Sequence, residues 1–130
     1  PASGLVLSVC EIPREDREAL PRISVVIRNI GQERKTLTVP GWLFFYQIEV
    51  RLPDGSLAPL SPFGRELLNP ARRTEDLAIV LGQGGFHETE IPIGSLFNLR
   101  ARGRYGVSVR CVPDFGKEEV TLRSNMITIG

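Results

Sequence analysis

The chain has 130 residues, 42% of them hydrophobic and 24% charged, which suffices for one hydrophobic core without a metal or disulfide staple and excludes intrinsic disorder. Sixteen Lys and Arg against fifteen Asp and Glu leave a net charge of +1, too weak a field to draw nucleic acid or an anionic membrane. No apolar run approaches the roughly 18 residues of a membrane span, so a single domain over residues 1–130 without an integral membrane segment is expected.

Taken in chain order, the segments between turn residues read as strands. Leu5, Leu7 and Val9 alternate with Val6, Ser8 and Cys10, and Ile23, Val25 and Ile27 repeat that period before Asn29-Ile30-Gly31; alternation of this kind puts successive side chains on opposite faces of a sheet. Arg14 to Leu20 has helical composition but lies between Pro13 and Pro21 and reads as a charged loop. A short strand over Thr36 to Val39 stops at Pro40-Gly41. Phe44, Tyr46, Ile48, Val50 and Leu52 then hold one face while Gln47, Glu49 and Arg51 hold the other, until Pro53-Asp54-Gly55 supplies a tight turn.

Residues 53–76 form the longest stretch without a sustained period. The segment carries Pro53, Pro59, Pro62 and Pro70 together with Leu57, Leu60, Phe63, Leu67 and Leu68, and Gly64 to Leu68 suggests a short helical turn before Asn69-Pro70. Long loops in compact domains are uncommon and often functional. Two roles compete: the apolar groups plug an open end of the fold, or the loop contacts a partner through Phe63 and Leu67 with Arg65, Arg72 and Arg73 as a basic rim.

Leu77 to Leu81 and Phe86 to Ile93 flank Gly82-Gln83-Gly84-Gly85 and read as a hairpin with a glycine loop. Tyr105, Val107, Val109 and Cys111 alternate strictly. Leu122 and the pair Ile127 and Ile129 stand in opposite phase, which a bulge at Ser124-Asn125 would correct. Seven to eight short strands spaced by turns predict an all-β, two-sheet antiparallel β-sandwich.

The stretch Leu99-Arg-Ala-Arg-Gly103-Arg-Tyr105-Gly-Val107 resembles the Leu-x-x-x-Gly-x-Tyr-x-Val corner of immunoglobulin-like and fibronectin-type modules. In that family the Tyr buries its ring and bonds a backbone group upstream, pinning the link between sheets. The ending Leu122 to Ile129 is similar to the last strand of bacterial extracytoplasmic sandwich modules. The resemblance implies an immunoglobulin-like fold, a corner role for Tyr105, a core role for Trp42, and a secreted or periplasmic location. Val107 stands where antibody domains carry a Cys, so an antibody-type domain is not implied.

Cys10 and Cys111 are too few for a disulfide scaffold and too far apart for a metal knuckle, although their number permits one long-range bridge and, with it, an oxidising compartment. Cys111 shares the phase of Tyr105, whereas Cys10 is out of phase with Leu5, Leu7 and Val9. The only histidine, His87, rules out a zinc site with two His ligands within one chain. His87-Glu88-Thr89-Glu90 lacks the second His of a metalloprotease helix and reads as a strand. No nucleophile elbow appears, the glycine run lacks the helix start of a phosphate cradle, and Arg100, Arg102 and Arg104 read as an edge that discourages sheet association. No cofactor and no metal are expected. The expectation is a noncatalytic binding module for an unidentified protein partner; the alternatives are a protease-inhibitor-like domain with an exposed loop and a small hydrolase using His87.

Overall fold

The computed structural model describes residues 4–16, 19–39, 45–69, 77–99, 103–112 and 121–130. The alternating segments become β1 (Leu5–Glu11), β2 (Ile23–Asn29), β3 (Lys35–Val39), β4 (Gln47–Arg51), β5 (Leu77–Leu81), β6 (Phe86–Ile91), β7 (Tyr105–Cys111), β8 (Leu122–Arg123) and β9 (Ile127–Ile129). Short helices α1 (Pro62–Leu67) and α2 (Ile93–Leu96) interrupt them. Among the described residues all pairings are antiparallel. One sheet has the order β1-β2-β6 and another joins β4 to β7, with β8 and β9 both on the far side of β7. Leu5, Leu7, Val9, Val25, Ile27, Val107, Val109 and Ile129 lie in one buried cluster with Leu37, Val50 and Leu81. The protein is an all-β antiparallel sandwich, with the ladders of its described residues divided among three sheets rather than two, because β3 and β5 pair with each other and, among those residues, with no further strand.

That third ladder corrects the expected hairpin. β5 pairs with β3, Lys35↔Leu81 through Val39↔Leu77, while β6 pairs with β2, Ile23↔Ile91 through Arg28↔Phe86. Residues 82–85 are therefore a corner between two ladders. Asn29, fully buried, holds the corner together. Its backbone N–H donates to the Gly85 carbonyl and its own carbonyl accepts from Gly84 N–H, each at 2.8 Å. Its side-chain amide donates to the carbonyls of Leu81 (2.9 Å) and Glu33 (2.7 Å), and its Oδ1 accepts from Gly31 N–H (3.0 Å). One buried amide thus satisfies the backbone groups that leave one ladder before entering the next.

The break between β8 and β9 follows the expected bulge. On β7 three steps separate Val107 from Arg110, whereas four separate their partners Ile127 and Arg123. The extra residue brings Leu122 and Ile129 to the buried face together. Ser124 stays on the ladder, donating its N–H to the Val109 carbonyl (2.8 Å) and accepting Val109 N–H on Oγ (2.9 Å). Asn125 turns the other way: its Oδ1 accepts Val9 N–H (2.9 Å) and its Nδ2 donates to the Val9 carbonyl (3.0 Å). The side-chain amide imitates a strand neighbour and fastens the edge of β1 to the second sheet.

Tyr105 is buried at the start of β7. Upstream, Gly103 adopts φ +126°, and a side chain there would lie 2.9 Å from Pro53 Cγ; glycine is the residue that permits both the conformation and the approach. The two thiols are free: Cys111 is buried and Cys10 is exposed. Cys10 alternates with buried Val9 on β1, so the possible bridge is absent and the cysteines lend nothing to an oxidising compartment. Trp42 lies outside the described residues, as do Arg100 and Arg102; Arg104 is exposed.

Candidate functional site

The described part of the long segment is built against the end of the sandwich. After the Pro53–Gly55 turn, Ala58 N–H donates to the Val50 carbonyl (2.8 Å) and Asn98 N–H to the Pro59 carbonyl (2.9 Å). Ser61 is the hinge of the arrangement. Its N–H donates to the Leu96 carbonyl (2.9 Å), its hydroxyl donates to the Ser95 carbonyl (2.6 Å), and the same oxygen caps α1 by accepting Gly64 N–H (2.9 Å). Pro62 opens the helix, where its missing N–H has no partner to lose. Gly64 then faces α2 so closely that a Cβ would lie 2.0 Å from the Leu96 carbonyl oxygen.

This clamp separates the residues that the sequence had grouped. Leu60 and Leu67 pack against the core, so half of the segment does plug the sandwich end. Phe63 remains 52% exposed, and Arg65 is exposed. Arg72 and Arg73 lie outside the described residues, so the basic rim within the described structure consists of Arg65. Beside Pro62 a cleft of about 560 Å³ opens between Leu20, Pro21, Phe97, Leu99 and Tyr105. Arg14 borders it, donating to the Gly130 carbonyl (2.9 Å) with Glu11 at 3.4 Å. In the sequence Leu20 and Pro21 stand at the margin of a charged loop, and an apolar pair closing a segment that opens on Arg14 is the available signal for this cleft.

His87 is half-buried on β6, and burial lowers its pKa. Glu88 and Glu90 point to the opposite, exposed face, where Glu88 accepts from Ser24 (2.9 Å) and Glu90 pairs with Arg22. The strand alternation therefore divides the histidine from its neighbouring carboxylates. Among the described residues no three His, Cys, Asp or Glu converge as a metal site. Burial raises the Tyr46 hydroxyl above its ordinary range and pushes the Cys111 thiol up to about 12. At neutral pH that thiol is protonated and a poor nucleophile.

The fold defines the class of the protein, an antiparallel all-β sandwich with a helix-capped end. No family model matches the chain and no curated protein matches it, so the functional reading rests on the geometry just described. Among the described residues no helix is long and apolar enough to cross a membrane.

Proposed function

We propose that the chain is a noncatalytic protein-interaction module of immunoglobulin-like type that engages its partner through the α1 end. The observation that carries this reading is Phe63, held out from a helix whose other contacts are locked. Ser61 and Gly64 fix α1 against α2, so presenting the ring to a partner requires little further ordering. The adjoining cleft can take an apolar side chain of that partner, and buried aromatic anchors of this kind dominate interface energetics. Residues 53–69 lie along the body through backbone bonds from Ala58, Ser61 and Asn98, which favours a docking end over an inhibitory loop inserted into a protease. The immunoglobulin-like assignment draws on two antiparallel sheets, β1-β2-β6 and β4-β7 with the last strands, whose buried residues share one core, an arrangement similar to that family's two sheets, with the β3–β5 ladder as an addition. A secreted or periplasmic location belongs to the proposal through that resemblance alone.

Peptides selected from a random display library on the immobilised full chain test the reading. Their binding should perturb amide NMR signals of α1 and residues 94–99. Phe63→Ser should weaken them about tenfold or more while the melting temperature stays within about 2 °C. Peptides insensitive to this substitution, or a large loss of stability from it, would refute the assignment of Phe63 as an exposed anchor.

A further inference from the structure

A second concave surface lies on the outer face of the β4–β7–β8–β9 sheet, a groove of about 540 Å³. It exists because the outward residues of β7 are small at one end. Ser108 lines its floor, with Gly106 two residues away on the same face of β7, while β4 raises Gln47, Glu49 and Arg51 on one side and Arg123 and Met126 stand on the other. A Cβ at Gly106 would lie 3.7 Å from Met126 Sδ and 3.9 Å from the Cβ of its cross-strand partner Arg51, so the Met126 side chain reaches over that position.

The two ends of the groove differ in chemistry. At one end Arg110 and Arg123 are direct cross-strand partners. Like charges directly opposite each other destabilise a sheet, and no carboxylate among the described residues pairs with either. Arg110 Nε donates to neutral Gln47 Oε1 (2.5 Å), and the nearby acid, Glu49, is taken by Arg51 (2.6 Å). Two guanidinium groups thus share one row, and guanidinium is the side chain that binds carboxylate through paired hydrogen bonds. At the other end Leu57, bridged to Arg51, and Met126 are 59% and 69% exposed. Along β7 the ends lie four residues apart, about 13 Å at the rise of a strand.

We propose that this groove binds an extended acidic segment of a partner protein, with one carboxylate side chain between Arg110 and Arg123 and an apolar side chain four residues along it between Leu57 and Met126. The separation is even, so both side chains of an extended segment point to the same face. Charge complementarity selects the carboxylate. The apolar end and Glu49 select against nucleic acid or sulfated glycan, which present charge along their whole length. The groove opens on the sheet face and the cleft at the α1 end, with Phe97 lining both, and either proposal can fail without the other.

The probe is the acetylated and amidated peptide Ser-Glu-Thr-Ser-Thr-Leu-Ser, titrated into the full chain and followed by amide NMR. The expected result is movement of signals on β4, β7 and β8, with affinity reduced about tenfold by Glu→Gln in the peptide or by Arg123→Glu in the protein. Replacing the peptide's Glu by Lys should recover binding to the Arg123→Glu protein. Arg123→Gln should weaken the peptide while leaving the melting temperature equal or higher, since it removes the like-charge pair. The proposal is overturned by no binding at millimolar peptide, by equal affinity when the spacing is changed to three, or by signals moving only at α1 and residues 94–99. Tighter binding of single-stranded DNA or heparin than of the peptide overturns it too, as does a loss of stability in Arg123→Gln.

Discussion

Gly64→Ala gives a test whose sign alone decides whether α1 is clamped. In an exposed helix the change should stabilise the protein by about 1 kcal/mol, because alanine is the better helix former. Here the added methyl would lie 2.0 Å from the Leu96 carbonyl oxygen and 2.9 Å from its carbon, and backbone atoms cannot swing aside as a long side chain would. Relieving such overpacking costs about 1–3 kcal/mol. If α1 retreats, the bonds from Ser61 to Ser95 and Leu96 stretch or break at about 1 kcal/mol each. Set against the propensity gain, the net loss is about 1–3 kcal/mol, which for a chain of this size lowers the melting temperature by roughly 3–10 °C. Thermal denaturation followed by circular dichroism measures it, with urea denaturation as a second scale. An unchanged or raised melting temperature would refute the close contact and, with it, the rigid presentation of Phe63.

Two other outcomes follow from single residues. Asn125→Ala removes both bonds to Val9 and should lower stability by about 1–2 kcal/mol in urea denaturation; amide exchange at Val9 should accelerate, and unchanged exchange would show that the edge of β1 is held otherwise. Cys10 should react with a thiol reagent in the folded protein while Cys111 reacts only after unfolding. Since burial raises the Cys111 pKa from 9.0 to about 12, the unfolded chain loses that proton first. Stability should fall as pH rises from about 9 towards 12, and Cys111→Ala should flatten this slope in melting temperatures taken across that range.

The local pattern of the chain determined much of this protein by itself. Side-chain alternation assigned inward and outward residues along β1, β4 and β7, because that period depends only on neighbours two apart in one strand. The phase conflict between Leu122 and Ile127 required a bulge, and the bulge stands at Ser124-Asn125. The Pro53-Asp54-Gly55 turn and a helical turn at Gly64 were legible for the same local reason. Partner choice was not. Residues 82–85 looked like a hairpin loop because turn chemistry is local, yet Asn29, more than fifty positions away, takes the Leu81 carbonyl and diverts both chains. Likewise Phe63 and Leu67 share one apolar segment and, four apart, nearly one helix face, yet the first is left exposed and the second packs against the core, because α1 meets the sandwich only along part of its length. Arg110 and Arg123 are unremarkable in sequence; the register of β8 on β7 sets them side by side. Which backbone groups meet across a sheet depends on segments distant in the chain, and that decision belongs to the tertiary structure.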